Sequence, residues 1–94
     1  MRRFENKVAI VTGGAGGIGS AIATRLASEG ATVVVSDVNL QAAHAVAQDI
    51  QNAGYSAHAF AADIANGEAC WTLVEQVVAQ LGGIDILVNN AGIN

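Results

Sequence analysis

Proline is absent from this chain, and cysteine, methionine, tryptophan and tyrosine each occur once. With 52% hydrophobic residues and no proline, the composition indicates neither disorder nor a long linker. The single cysteine, Cys70, excludes an intrachain disulfide, and nothing points to an oxidising compartment. Aromatic residues make up only 4%, while alanine supplies much of the apolar count. That composition suits helices packed closely on a sheet and not a core of large rings. Basic residues are scarce too: four stand against eight acids, for a net charge of −4. No basic stripe exists for a nucleic acid or an anionic membrane to use. Arg2 and Arg3 are followed by Glu5 and Lys7, which interrupt any signal-peptide core, and no run approaches membrane-spanning length. A cytoplasmic location is the expectation. Ninety-four residues suit one small domain, residues 1–94, near the lower limit for a self-sufficient core.

What the chain does have is concentrated between Lys7 and Gly19, in the stretch KVAIVTGGAGGIG. Val8 to Val11 form a continuous apolar run, mostly β-branched, of the kind buried on both faces of a parallel sheet. Five glycines follow in the seven positions from Gly13 to Gly19. Glycine lets the backbone turn sharply and approach a ligand without a Cβ in the way. A helical pattern begins at Ile18, and a helix start offers unpaired N–H groups and partial positive charge to a phosphate. The loop fits G-x-G-x-x-G at Gly14, Gly16 and Gly19. It also fits T-G-x-x-x-G-x-G at Thr12, Gly13, Gly17 and Gly19, and the loop alone does not choose between them. A P-loop is excluded, because no Gly-Lys-Ser/Thr follows and Lys7 is the only lysine.

Further along, Ile18, Ala21, Ile22 and Leu26 recur at helical spacing, and Gly30 is placed to end that helix. Thr32 to Ser36 predicts a second buried strand ending at Asp37. Asn39 is placed to cap a second helix with Ala43, Val46, Ala47 and Ile50 on its buried stripe, stopped at Gly54. Ser56 to Ala61 predicts a third strand, at a sheet edge, ending at Asp63. Asn66 caps a third helix with Cys70, Leu73, Val74, Val77 and Leu81 inward, stopped at Gly82 and Gly83. Ile84 to Val88 is the fourth strand, and Asn89-Asn90-Ala91-Gly92 follows it. The fold class is therefore α/β, a Rossmann-like parallel sheet built β-α-β-α-β-α-β with right-handed crossovers. Strand order 3-2-1-4, truncated after strand 4, puts the glycine loop beside the switch point between strands 1 and 4.

Asp37 stands twenty residues past Gly17, at the end of strand 2. That is where an acid accepts hydrogen bonds from the adenosine ribose, which favours NAD over a 2′-phosphorylated dinucleotide. No arginine or lysine stands near Gly16 or Val38 to reverse the preference. Asp63 is placed to accept the adenine amino group with Ile64 packing nearby, and it serves equally as an ordinary acid in a strand-to-helix turn. His44, His58 and Cys70 form no metal-ligand pattern, so no metal is expected. Trp71 is expected at a partly buried rim of the third helix.

The Thr12-led loop, Asp37, Ala62-Asp63 and the N-N-A-G run together resemble the first half of a short-chain dehydrogenase/reductase, from Lys7 to Gly92. The resemblance implies that Gly13, Gly17, Ile18 and Gly19 line the pyrophosphate. It implies that Asp37 selects NAD, that Asp63 and Ile64 frame the adenine, and that Asn90, Ala91 and Gly92 border the ribose on the nicotinamide side. Such enzymes interconvert an alcohol and a carbonyl through a serine and a Y-x-x-x-K pair. Here Tyr55 has Ala59 four residues on and Lys7 lies in the wrong element, so no catalytic residue is carried over.

The expectation is the NAD-binding, N-terminal portion of a longer oxidoreductase, itself inactive and prone to associate through a bare fourth strand. Its partners are the dinucleotide, further copies of the chain and, only in the complete protein, a small alcohol or carbonyl. A non-catalytic NAD-binding or regulatory module is the alternative. An S-adenosylmethionine-dependent methyltransferase fragment is a third reading, against which the N-N-A-G run and the Thr12-led loop weigh.

Overall fold

A computed structural model describes residues 4–62 and 67–90 of the chain. Strands and helices alternate throughout: β1 (Val8–Thr12), α1 (Gly17–Ser28), β2 (Thr32–Asp37), α2 (Leu40–Asn52), β3 (Ala57–Ala61), α3 (Gly67–Leu81) and β4 (Ile86–Asn89). The sheet runs β3-β2-β1-β4 and every pairing in it is parallel. Val8 stands opposite Thr32, and Thr12 opposite both Ser36 and Asn89. The ends of β1, β2 and β4 are thus level where the glycine loop leaves the sheet.

The unbroken apolar runs of β1 and β2 have a simple cause: the sheet is covered on both faces. Ala9, Val11, Val33 and Val35 point into one cluster with Ala23, Ala27, Ala43, Ala47 and Ile50 of α1 and α2. Ile10 and Val34 point the other way, into a smaller cluster with Ala62 and with Leu73 and Val77 of α3. Side chains alternate across a strand, so a strand sandwiched between helices must be apolar at every position.

Several local expectations hold in detail. Gly30, at φ +104°, and Gly54, at φ +93°, follow α1 and α2 in the left-handed region that glycine enters without a Cβ penalty. Asn39 caps α2, its side chain accepting from the Ala42 N–H at 3.1 Å. β3 is an edge strand, and α3 buries Leu73 and Val77 with Val74, Cys70 and Leu81 half-buried. Asn66, the expected cap of α3, lies outside the described residues.

Three details differ. The buried stripe of α1 is Gly19, Ala23 and Ala27, with Ile22 and Leu26 half-buried on its flank. Small residues let this helix lie close to the sheet, and Ile18, expected inward, is left 67% exposed at the helix start. β4 begins at Ile86 and not at Ile84, because Asp85 is spent on entering the sheet. Its N–H donates to the Val8 carbonyl, and its carboxylate accepts the Val8 N–H, both at 2.9 Å. Trp71 is not a rim residue but 66% exposed on the outer side of α3. Among the described residues no helix is long and apolar enough to cross a membrane.

Candidate functional site

The carboxyl ends of β1, β2 and β4 converge on the glycine loop, and each strand holds part of it. From β1, Gly13 turns the chain with φ +63°. From β2, the Ser36 carbonyl accepts the Gly14 N–H at 3.1 Å, and the Asp37 carboxylate accepts the Ala15 N–H at 3.2 Å. The second oxygen of Asp37 accepts the Asn39 N–H at 3.1 Å. Beyond β4, the Asn90 amide donates to the Gly13 carbonyl at 3.2 Å. One strand end earlier, the Thr12 hydroxyl lies 3.2 Å from the Val88 carbonyl and 3.1 Å from Asn89 Oδ1, tying β1 to β4.

The glycines divide into two kinds. A Cβ on Gly14 would stand 2.9 Å from the Val11 carbonyl and from Val35 Cγ1. One on Gly19 would stand 2.3 Å from the Gly13 carbonyl, and 2.9 Å from Gly14 Cα and the Asn90 amide nitrogen. Packing alone requires glycine at these two positions. At Gly17 a Cβ would meet nothing within 4 Å, and at Gly16 only the Gly13 carbonyl at 3.7 Å. The chain itself makes no demand there. Both sequence registers therefore mix glycines that the fold needs with glycines that it leaves open.

The start of α1 is the other unusual feature. Gly16 occupies the cap position with no side-chain hydrogen bond, and no acid stands in the first turn. The helix ladder opens with the Ser20 N–H donating to the Gly16 carbonyl at 2.8 Å. By helix geometry the N–H groups of Gly17, Ile18 and Gly19 have no acceptor within the helix. In α2 the corresponding need is met by Asn39. The uncapped start of α1 faces the side of the loop where Gly16 and Gly17 leave room. Ile18 and Val38, 67% and 69% exposed, flank it as apolar surface. The only lysine and described arginine lie elsewhere, Lys7 before β1 and Arg25 late in α1, paired with Glu29 at 3.2 Å.

Among the expected site residues, the structure gathers Gly13, Gly17, Ile18, Gly19, Asp37 and Asn90 around one loop. Asp63, Ile64, Ala91 and Gly92 lie outside the described residues. Asn90 reaches the loop through its side chain, a contact that the motif does not spell out. Two features went unread in the sequence. Val38 carried a signal, a large apolar residue at a strand end where the chain turns polar. The Ala15 N–H carried none, because a backbone donor has no letter of its own. Ser36, beside Asp37, is fully buried with its hydroxyl unpartnered among the described residues. An unsatisfied buried hydroxyl costs about 1–3 kcal/mol. Ser36→Ala is accordingly expected to leave the thermal midpoint unchanged or higher, and a fall of several degrees in a melting curve would show that the hydroxyl has a stabilising partner.

The family model described as short chain dehydrogenase matches residues 7–94. The chain belongs to the short-chain dehydrogenase family. The 7α-hydroxysteroid dehydrogenase of Escherichia coli (strain K12) is 46% identical over 90 residues, which are 96% of this chain and 35% of that protein. The D-threitol dehydrogenase of Mycolicibacterium smegmatis is 41% identical over 91 residues, 97% of this chain and 35% of the relative. A crystal structure of hydroxysteroid dehydrogenase from Escherichia coli superposes with a TM-score of 0.92 at 46% identity, covering 96% of this chain and 37% of the other. A 7α-hydroxysteroid dehydrogenase complexed with NADH and 7-oxo glycochenodeoxycholic acid gives 0.89 at 44% identity, covering 93% and 34%. This short-chain dehydrogenase chain thus spans about a third of the length of these relatives. Its parallel 3-2-1-4 sheet is the fold that they share over the matched residues.

Proposed function

We propose that residues 1–94 form the NAD(H)-binding unit of a short-chain oxidoreductase that interconverts an alcohol and a carbonyl. One observation carries the reading: an uncapped helix start with two open glycines, Gly16 and Gly17, beside a strand-end carboxylate, Asp37. Such a helix start binds a doubly charged linker through its free N–H groups and dipole. The fit is good, since no acid in the first turn opposes an anion and no Cβ occupies the approach. The relative solved with NADH supports the same cofactor class. In this assignment the loop from Gly13 to Gly19 holds the pyrophosphate, with Ile18 packing beside it. Asp37 accepts the ribose hydroxyls, and Val38 covers one face of the adenosine. Asp63 and Ile64 frame the adenine, while Asn90, Ala91 and Gly92 border the second ribose.

The bound dinucleotide supplies or accepts the hydride. This chain's residues bind and orient it. Asp37 faces the sugar with negative charge, and among the described residues the site offers no cation to a 2′-phosphate, so NAD is favoured over NADP. The relatives' names, a hydroxysteroid and a threitol dehydrogenase, share conversion at an alcohol carbon, and the reaction class is proposed on that common ground. With neither a Y-x-x-x-K pair nor its serine in the sequence, the 94-residue chain is expected to turn over no substrate. Calorimetric titration with NADH, NADPH and S-adenosylmethionine tests the assignment. NADH is expected to bind about tenfold or more tighter than NADPH, equivalent to about 1.4 kcal/mol of charge discrimination. Binding of S-adenosylmethionine alone would overturn it.

A further inference from the structure

We propose that Asp37 is a latch for the glycine loop as well as a receiver for the sugar. The Ala15 N–H donates to one of its oxygens at 3.2 Å and the Asn39 N–H to the other at 3.1 Å. Those donors stand on opposite sides of the carboxylate in sequence, one in the loop after β1 and one at the start of α2. The loop is held elsewhere at its first half only. Gly14 is pinned by the Ser36 carbonyl at 3.1 Å and sits where Val11 and Val35 leave no room for a Cβ, and Gly13 is held by Asn90 at 3.2 Å. Past Gly14 the internal bond from the Gly16 N–H to the Gly13 carbonyl is long, at 3.3 Å. Among the described residues, Asp37 is the one side chain that hydrogen-bonds the loop between Gly14 and the helix start.

A carboxylate has about four lone-pair sites, so two backbone donors leave room for two hydroxyl donors. The latch therefore need not open when a ribose arrives. A loop fixed in advance spares a ligand the entropy of ordering it, so the carboxylate links sugar recognition to the shape of the anion cradle. Asp37 is a positioning residue in this second role, acting through the Ala15 amide. The consequence for dinucleotide affinity rests on the proposed cofactor reading, whereas the latch is a property of the ligand-free chain.

The two are separated by amide hydrogen exchange on the ligand-free 94-residue chain. Exchange is read as the ratio of Ala15 to the buried β2 amides of Val33–Val35, which a loss of global stability cannot raise, because it speeds the β2 amides at least as much. Asp37→Ala is expected to raise that ratio about tenfold or more, the loss of one charge-assisted hydrogen bond. Asp37→Asn, which leaves one acceptor oxygen for two donors, gives an intermediate rise. An unchanged ratio in D37A overturns the proposal. Should D37A fail to fold, D37N decides alone: a raised ratio supports the latch and a wild-type ratio ends it. NADH is then titrated separately. Release of Ala15 by D37A in a chain that does not bind NADH would retire the cofactor reading while the latch stands.

Discussion

Gly19→Ala is expected to lower the unfolding midpoint by roughly 8–16 °C, from a destabilisation of about 2 kcal/mol in a domain of this size. The added methyl meets backbone, the Gly13 carbonyl and Gly14 Cα, so no flexible side-chain end can swing aside. Alanine gains about 1 kcal/mol over glycine within a helix, which offsets part of the clash but not a contact of this closeness. To relieve it the loop must lift away from α1, loosening the bond between Asn90 and Gly13. The same substitution at Gly17 meets nothing within 4 Å. Gly17→Ala is expected to stay within about 0.5 kcal/mol of the parent in stability, yet to weaken NADH binding about tenfold or more, its methyl standing where the linker approaches. Circular-dichroism melts and calorimetry on both variants read the two effects. An unshifted midpoint in G19A would contradict the loop packing, and full NADH affinity in G17A would place the ligand elsewhere.

The second large effect belongs to the charge at Asp37. A charge-assisted hydrogen bond contributes about 1.5–3 kcal/mol, so Asp37→Ala is expected to weaken NADH binding by roughly 10- to 150-fold. NADPH loses less, because the repulsion between carboxylate and 2′-phosphate goes with the same side chain. The preference for NADH over NADPH therefore narrows. Loosening of the loop through Ala15 affects both dinucleotides alike and cancels in that ratio, so the ratio isolates charge. Added salt screens an exposed carboxylate–phosphate repulsion and should narrow the wild-type preference in the same direction. A ratio unchanged by D37A would remove Asp37 from the ribose site.

Sequence patterning reached the architecture because a parallel sheet covered on both faces writes itself plainly. The middles of β1 and β2, residues 8–11 and 33–35, had to be apolar on both faces, and glycines or asparagine had to mark the helix ends at Gly30, Gly54 and Asn39. The α1 stripe was harder. Apolar spacing chose Ile18, Ala21, Ile22 and Leu26, while the helix lies on Gly19, Ala23 and Ala27, because closeness to the sheet rewards small side chains and turns the stripe by one position. The start of β4 was hidden for another reason. Asp85 looks like a strand residue in I-D-I-L-V, but its carboxylate is used on the Val8 N–H before the ladder begins.

At the site, the letters located the loop and the acid, and the structure sorted the glycines by what surrounds each. Gly14 and Gly19 are required by packing, whereas Gly16 and Gly17 face space that the chain does not fill. No pattern of letters separates those two kinds, since all four read as the same residue. The hold of Asp37 on Ala15 was equally invisible, being a contact between a side chain and a backbone donor 22 residues away.

The most direct measurement is a two-dimensional amide spectrum of the chain titrated with NADH. The account predicts that the largest shifts fall on Gly13 to Gly19, on Asp37 and Val38 and on Asn90, at the carboxyl end of the sheet. A cleft of about 390 Å³ lies at the opposite end, lined in part by Ala27, Gly30, Tyr55 and His58. Shifts concentrated there, with the glycine loop unmoved, would contradict the assignment.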